Sequence, residues 1–188
     1  RCLVKAMVTL AVVLVALAAV SGTVQAQTSP TVGVYFDQAY TVMQKPCVGP
    51  NVMDYAYVVA YNFNVFLSGV EYMISYPPSV MWVADLDIPA VTIGNTTTGI
   101  SMGFGTPRNG FGPVLLNRIA FLWQCMGCDA TNEDDPIVVL PHPESGFVRA
   151  TDFPNFEFVY GVGMTSLVCA TVPVNETTWG KIKSLYEE

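Results

Sequence analysis

MDYAYVVAYNF, residues 53–63, decides the fold. Met53, Tyr55, Tyr57, Val59, Tyr61 and Phe63 fall on one side of an extended chain, and Asp54, Ala56, Val58, Ala60 and Asn62 on the other. Successive side chains of a strand point to opposite faces, whereas a helix would scatter both sets around its circumference. The same alternation continues outward from this stretch. Val32, Val34 and Phe36 form a face upstream, and downstream Val70, Tyr72, Ile74 and Tyr76 alternate with Gly69, Glu71, Met73 and Ser75. Pro77-Pro78 then removes two backbone donors and forces a turn before a strand that starts near Val80. Further strands read over residues 90–93, 100–105, 114–123, 137–140, 147–150, 156–162 and 165–170, separated by Gly, Asn and Ser turn signals. Many short strands with no helical period between them predict an all-β chain, a two-sheet antiparallel sandwich.

Composition agrees. The chain has 188 residues, 52% hydrophobic and 12% charged, with Lys+Arg 8 against Asp+Glu 15. That hydrophobicity excludes a disordered chain, and the acidic balance excludes a nucleic-acid binder. One domain is expected at this length. Arg1 and Lys5 precede an apolar run over residues 7–20, and small residues follow as far as Val24-Gln25-Ala26, which reads as a secretory signal peptide cleaved after Ala26. The competing reading, an uncleaved anchor helix, needs a longer span than this run offers. The expected organisation is therefore a signal peptide over 1–26, a β-sandwich over 27–174 and a short C-terminal helical tail over 175–188. In that tail Thr177 or Thr178 caps a helix carrying Trp179, Ile182, Leu185 and Tyr186 on one stripe. The stripe docks on the sandwich itself or on a partner. With the leader gone no membrane-spanning segment is expected, so the protein is placed outside the cytoplasm, secreted or at the cell surface.

Cys47, Cys125, Cys128 and Cys169 remain after cleavage, an even number that favours structural disulfides in an exported chain. Four cysteines allow three pairings; the expected ones are Cys125 with Cys128, and Cys47 with Cys169. The Cys-x-x-Cys spacing also suits a thiol-disulfide oxidoreductase, but the acidic residues Asp129, Glu133, Asp134 and Asp135 that follow would raise the thiol pKa rather than lower it. The acidic run carries oxygens at alternating positions, so Asp129, Asn132 and Asp134 are candidates for a loose Ca2+ site, although Leu140 stands where an EF-hand needs its closing Glu. No other cofactor is expected.

Catalytic signals are few. His142 is the one histidine, and Gly-x-Ser-x-Gly, His-Glu-x-x-His and P-loop patterns do not occur. Asp85 and Asp87 could serve glycoside hydrolysis only if they faced a cleft; as loop residues they merely solvate. The tyrosine face of residues 53–63 has two readings. Tyr55, Tyr57 and Tyr61 either fill the space between the sheets, which is the expectation because the opposite face is rich in alanine, or form a platform for sugar rings. Asn95-Thr96-Thr97 and Asn175-Glu176-Thr177 are N-glycosylation sequons, used only in a host with the machinery.

Two stretches, GVYFDQAYT over 33–41 and VPVNETTWGKIKSLY over 172–186, are similar to short, uncharacterised secreted bacterial proteins that end in a TTWGxIKxLY tail. Between them, YVVAYNFNVFLSGVEYMISYPPSVMWV over 57–83, GISMGFG over 99–105 and VLLNRIAFLW over 114–123 resemble the strand order of cohesin-like or immunoglobulin-like sandwiches. That resemblance implies a protein partner, the dockerin of true cohesins, or a polysaccharide as in related sandwiches. The cysteines are not part of the cohesin pattern. The expectation is a non-enzymatic exported β-sandwich acting as a binding or structural module, with a carbohydrate-binding module and the oxidoreductase as the alternatives.

Overall fold

The computed structural model describes residues 29–124 and 135–169. The expected leader, Cys125 and Cys128, the candidate Ca2+ ligands Asp129, Asn132 and Asp134, and the C-terminal tail lie outside the described residues. The strands are β1 (Thr31–Tyr35), β2 (Gln44–Lys45), β3 (Met53–Tyr61), β4 (Phe66–Ser75), β5 (Val80–Leu86) and β6 (Val91–Asn95). They continue as β7 (Gly99–Asn109), β8 (Val114–Trp123), β9 (Asp135–Leu140), β10 (Val148–Phe153), β11 (Phe158–Gly163) and β12 (Thr165–Val168). The chain is all-β, as expected. No helix among the described residues is long and apolar enough to cross a membrane.

One layer runs β5-β8-β3-β1 and the other β6-β7-β4-β10, while β9, β12 and β2 continue from the far half of β4. β11 joins the layers, antiparallel to β10 and parallel to β1. The result is a sandwich with a continuous hydrogen-bonded path around one side.

The core lies between the layers. On β3 its members are Ala56, Val58 and Ala60, while Tyr55, Tyr57 and Tyr61 stand on the outer surface. The expectation that the tyrosine face fills the core is thereby corrected. Small side chains on β3 leave room for large ones from its neighbours: Phe121 and Trp123 of β8, and Tyr72, Ile74 and Ile100 of the facing layer, are all buried. Large and small residues interdigitate at core density, so alanines mark the inner face here. Each buried Leu or Ile side chain contributes roughly 1.5–3 kcal/mol.

Bulges shift the alternation in several strands. In β8 the pairing jumps from Val58 with Asn117 to Val59 with Leu115, so that Leu116 and Asn117 are both buried. In β4 one extra residue faces β10, where the pairing passes from Gly69 with Thr151 to Leu67 with Asp152, so Leu67 and Val70, three apart, both face inward. An extra residue in one strand is what a β-bulge supplies.

Among the described residues, buried side-chain polar atoms are hydrogen-bonded except Ser79 Oγ. The Tyr72 hydroxyl crosses the core to donate to Asn117 Oδ1 at 2.5 Å, and Asn117 Nδ2 donates to Asp85 Oδ1 at 3.1 Å. Asp85 also accepts from the Thr96 amide and the Thr96 hydroxyl, each at 2.8 Å, and Thr96 Oγ1 lies 2.7 Å from the Tyr76 hydroxyl. Burial, together with the nearby Asp85 charge, pushes the Tyr72 phenol well above its ordinary range, so it stays a neutral donor. The network links β4, β5, β8 and the β6–β7 turn.

Candidate functional site

Since Val70 and Tyr72 face inward, Gly69 and Glu71 face out. Strand register then sets two rows across the outer surface of the β6-β7-β4-β10-β11 sheet. The first is Ile93, Ser101, Glu71, Arg149, Tyr160, and the second Val91, Gly103, Gly69, Thr151, Phe158. The middle of the second row has no side chains, so the sheet is hollowed there. The groove encloses about 400 Å³ and is lined by Ser68, Glu71, Val91, Ser101, Thr151 and Phe156 around that glycine floor. A Cβ on Gly69 would lie 2.9 Å from the Met102 carbonyl oxygen, so this position of the floor requires glycine.

The exposed rim is apolar. Ile93 is 74% exposed, Val91 63% and Phe156 64%. Phe156 has φ 59°, a left-handed conformation that a bulky residue rarely adopts. The loop holding it is clamped by the buried Asp152. The Asp152 carboxylate accepts from the Glu157 amide at 2.6 Å and from Asn155 Nδ2 at 2.9 Å, and the Asp152 carbonyl accepts from the Phe156 amide at 3.2 Å. Beyond it, the Phe147 and Tyr160 rings meet edge to face at 4.8 Å, and the Arg149 guanidinium stacks 3.9 Å above the Phe158 ring. The face has almost no net charge, because Arg149 Nε donates to Glu71 Oε2 at 2.7 Å. Burial pushes the Glu71 pKa up, but the hydrogen bond and charge of Arg149, with smaller help from Ser145 and His142, hold it below the ordinary glutamate value.

The topology also brings Ser101 beside His142, at 3.4 Å from Oγ to Nε2. The ring is set the wrong way for a nucleophile–base pair. His142 Nδ1 accepts from the Glu144 amide at 3.3 Å, which places the ring proton on Nε2 and leaves no lone pair there to take a proton from Ser101. Asp85 is committed to the buried network and Asp87 to an ion pair with Arg118, so the two carboxylates do not flank a common space.

The opposite outer face holds the tyrosines singled out in the sequence. Tyr55 is exposed, with the Arg118 guanidinium 5.7 Å from its ring. Tyr57 packs on Tyr40 at 6.1 Å, and Tyr61 packs on the buried Tyr35 at 5.5 Å while its hydroxyl donates to the Tyr40 carbonyl at 3.0 Å. The rings are inclined to one another by 56–60°. The turn that carries Tyr40 is fixed by Asp37, whose carboxylate accepts from the Thr41 and Val42 amides. Burial pushes the Tyr35 and Tyr61 phenols above their ordinary range.

Among the cysteines, Cys169 is buried and Cys47 packs against the core. They follow β12 and β2, which pair in parallel with Val168 opposite Lys45. Among the described residues, no three His, Cys, Asp or Glu side chains gather as a metal site.

Gly69, Gly103, Ser101 and Phe156 were not singled out by sequence reasoning. A signal existed for the glycines: SGVEY and MGFG interrupt strand alternation, and a glycine inside a strand marks a bulge or a close approach.

No protein-family model matches the chain, and no curated protein matches it. Solved structures do. A chain of the CaDoc0917–CaCohA2 complex, whose CaCohA2 comes from Clostridium acetobutylicum, aligns at 13% identity and TM-score 0.52 over 76% of this chain and 100% of its own. A type III cohesin module from the ScaE cell-surface anchoring scaffoldin of Ruminococcus flavefaciens aligns at 10% identity and TM-score 0.49, covering 80% and 94%. A non-cellulosomal cohesin from the archaeon Archaeoglobus fulgidus aligns at 10% identity and TM-score 0.46, covering 81% and 98%. The fold of this chain is cohesin-like.

Proposed function

We propose that the chain is a non-enzymatic, exported module that binds a protein partner through the outer face of β6, β7, β4 and β10. The observation that carries this reading is the groove itself. Exposed Val91, Ile93 and Phe156 surround a floor of two glycines, on a face whose one charged pair is internally neutralised. A concentration of exposed apolar side chains around a recess is the mark of an interaction site, and depletion of free charge suits the centre of a protein interface. The likeness of the fold to a chain from a two-protein complex supports a protein partner. The arrangement of Ser101 and His142 favours a binding role over hydrolysis.

The test is titration of the full chain against a panel of dockerin modules and, in parallel, soluble polysaccharides. Saturable binding of a dockerin that weakens at least about tenfold, roughly 1.4 kcal/mol, in Ile93→Asp and in Phe156→Ala is expected. The alternative of a carbohydrate-binding module rests on exposed Tyr55 beside Arg118. Retardation on polysaccharide that disappears in Tyr57→Ala, with no dockerin bound, would replace the protein-binding reading. Cys47, Cys125, Cys128 and Cys169 belong to this proposal as structural disulfides rather than redox catalysts. Reduction should then lower the melting temperature, by an amount corresponding to about 2–5 kcal/mol. Undiminished stability in reductant, with turnover of a disulfide substrate, would favour the oxidoreductase.

A further inference from the structure

The sequon Asn95-Thr96-Thr97 occupies the turn between β6 and β7. Its geometry separates the two ends of the Asn95 amide. Oδ1 accepts from the Thr97 amide at 2.9 Å, the Thr97 hydroxyl at 2.6 Å, and the Thr98 amide and hydroxyl at 3.1 Å each. Nδ2 donates to no described residue. We propose that Asn95 is the acceptor of an N-linked glycan, a modification independent of the binding reading above. Replacing one Nδ2 hydrogen by a sugar removes no protein hydrogen bond, whereas the oxygen side of the amide is fully engaged. The hydroxyl that a sequon needs at its third position already lies against the acceptor side chain.

Asn95 is half-buried at the end of β6, and Thr98 beside it is exposed. Thr96 faces the interior, where it is fixed by Asp85 and where its carbonyl accepts from the Ile74 amide at 2.6 Å. Among the described residues β6 pairs only with β7, leaving its other side a sheet edge. A hydrated sugar at such an edge also blocks strand-to-strand association with another molecule. In the transfer, Asn95 Nδ2 bonds to the anomeric carbon of an oligosaccharide carried on a polyisoprenyl pyrophosphate. The carbon–oxygen bond to the pyrophosphate breaks, the lipid pyrophosphate leaves with that electron pair, and one amide proton is released.

The experiment secretes the full chain behind a host leader from a eukaryotic secretory host and collects it from the medium, so that every molecule has met the transferase. Peptide mass mapping before and after peptide N-glycosidase reads occupancy at Asn95. The expected result is a glycan on Asn95 in most molecules, removed by the glycosidase with conversion to Asp, retained in Thr97→Ser and lost in Thr97→Ala. An Asn175→Gln background keeps the second sequon out of the measurement. Secreted protein whose Asn95 peptide is unmodified would overturn the proposal.

Discussion

The two outer faces of the sandwich are built from similar numbers of aromatic residues and behave in opposite ways. On the β5-β8-β3-β1 side the rings of Tyr35, Tyr40, Tyr57 and Tyr61 lean on one another, and the turn held by Asp37 brings Tyr40 over its neighbours. On the β6-β7-β4-β10 side the phenylalanines stand around a hollow floored with glycine, and the loop held by Asp152 keeps Phe156 out in solvent. An aspartate fixes a loop in both cases. One loop covers the tyrosines near it while Tyr55 stays exposed, and the other leaves its phenylalanine in solvent. Aromatic content does not distinguish an open face from a covered one; what covers the rings does.

Truncations should separate the faces by stability. Tyr35 is 6% exposed, so Tyr35→Ala should cost about 3–5 kcal/mol, whereas Phe158→Ala on the open face should cost well under that and stay within about 1 kcal/mol. Urea unfolding of the two variants measures both. Equal losses would erase the comparison.

The layers are tied through their middle by the Tyr72–Asn117 hydrogen bond. Tyr72→Phe leaves Asn117 Oδ1 buried without its donor and should cost about 1–3 kcal/mol. Tyr55→Phe, at an exposed hydroxyl, should be neutral within about 0.5 kcal/mol in the same assay.

Phe156 sharpens the contrast from the other direction. Its left-handed backbone conformation costs roughly 1–2 kcal/mol in a residue with a Cβ, so Phe156→Gly should stabilise the chain by about 1 kcal/mol while weakening partner binding. That outcome would mark Phe156 as a residue kept for recognition rather than for folding. Loss of stability in Phe156→Gly would show instead that the ring packs as part of the fold.

The smallest effect concerns acid. The Glu71 pKa is lowered in the folded chain, so its contribution to stability is present above the ordinary glutamate range and is lost as pH falls through the folded value. Arg149→Met removes the partner. Thermal melts should show the variant below the parent at neutral pH, with the gap closing as Glu71 protonates. A gap independent of pH would assign the effect of Arg149 to its stacking on Phe158 alone.

Much of the fold was legible because alternation survives in most strands. Residues 53–63 and 114–123 correspond closely to β3 and β8. What escaped has identifiable causes. β2 is the two polar residues Gln44 and Lys45, too short for any period. β4 begins at Phe66, ahead of the expected Gly69, because the bulge between Leu67 and Gly69 against β10 puts the alternation out of step. Alternation alone does not choose between the two largely apolar faces of β3, and the turn that covers the tyrosines comes from a different part of the chain. The candidate site was the least legible feature. Its floor consists of missing side chains, and its rows exist only once Val91, Gly103, Gly69 and Thr151 are brought into register from four strands. Sequence spacing carries no trace of that alignment.

Hydroxyl-radical footprinting of the full chain, read by peptide mass spectrometry, tests most directly whether one face is open and the other closed. Rapid labelling of Phe156, Phe158 and Ile93 together with protection of Tyr35 and slow labelling of Tyr57 and Tyr61 is the predicted pattern. Fast labelling of the three tyrosines with protection of Phe156 and Ile93 would contradict it.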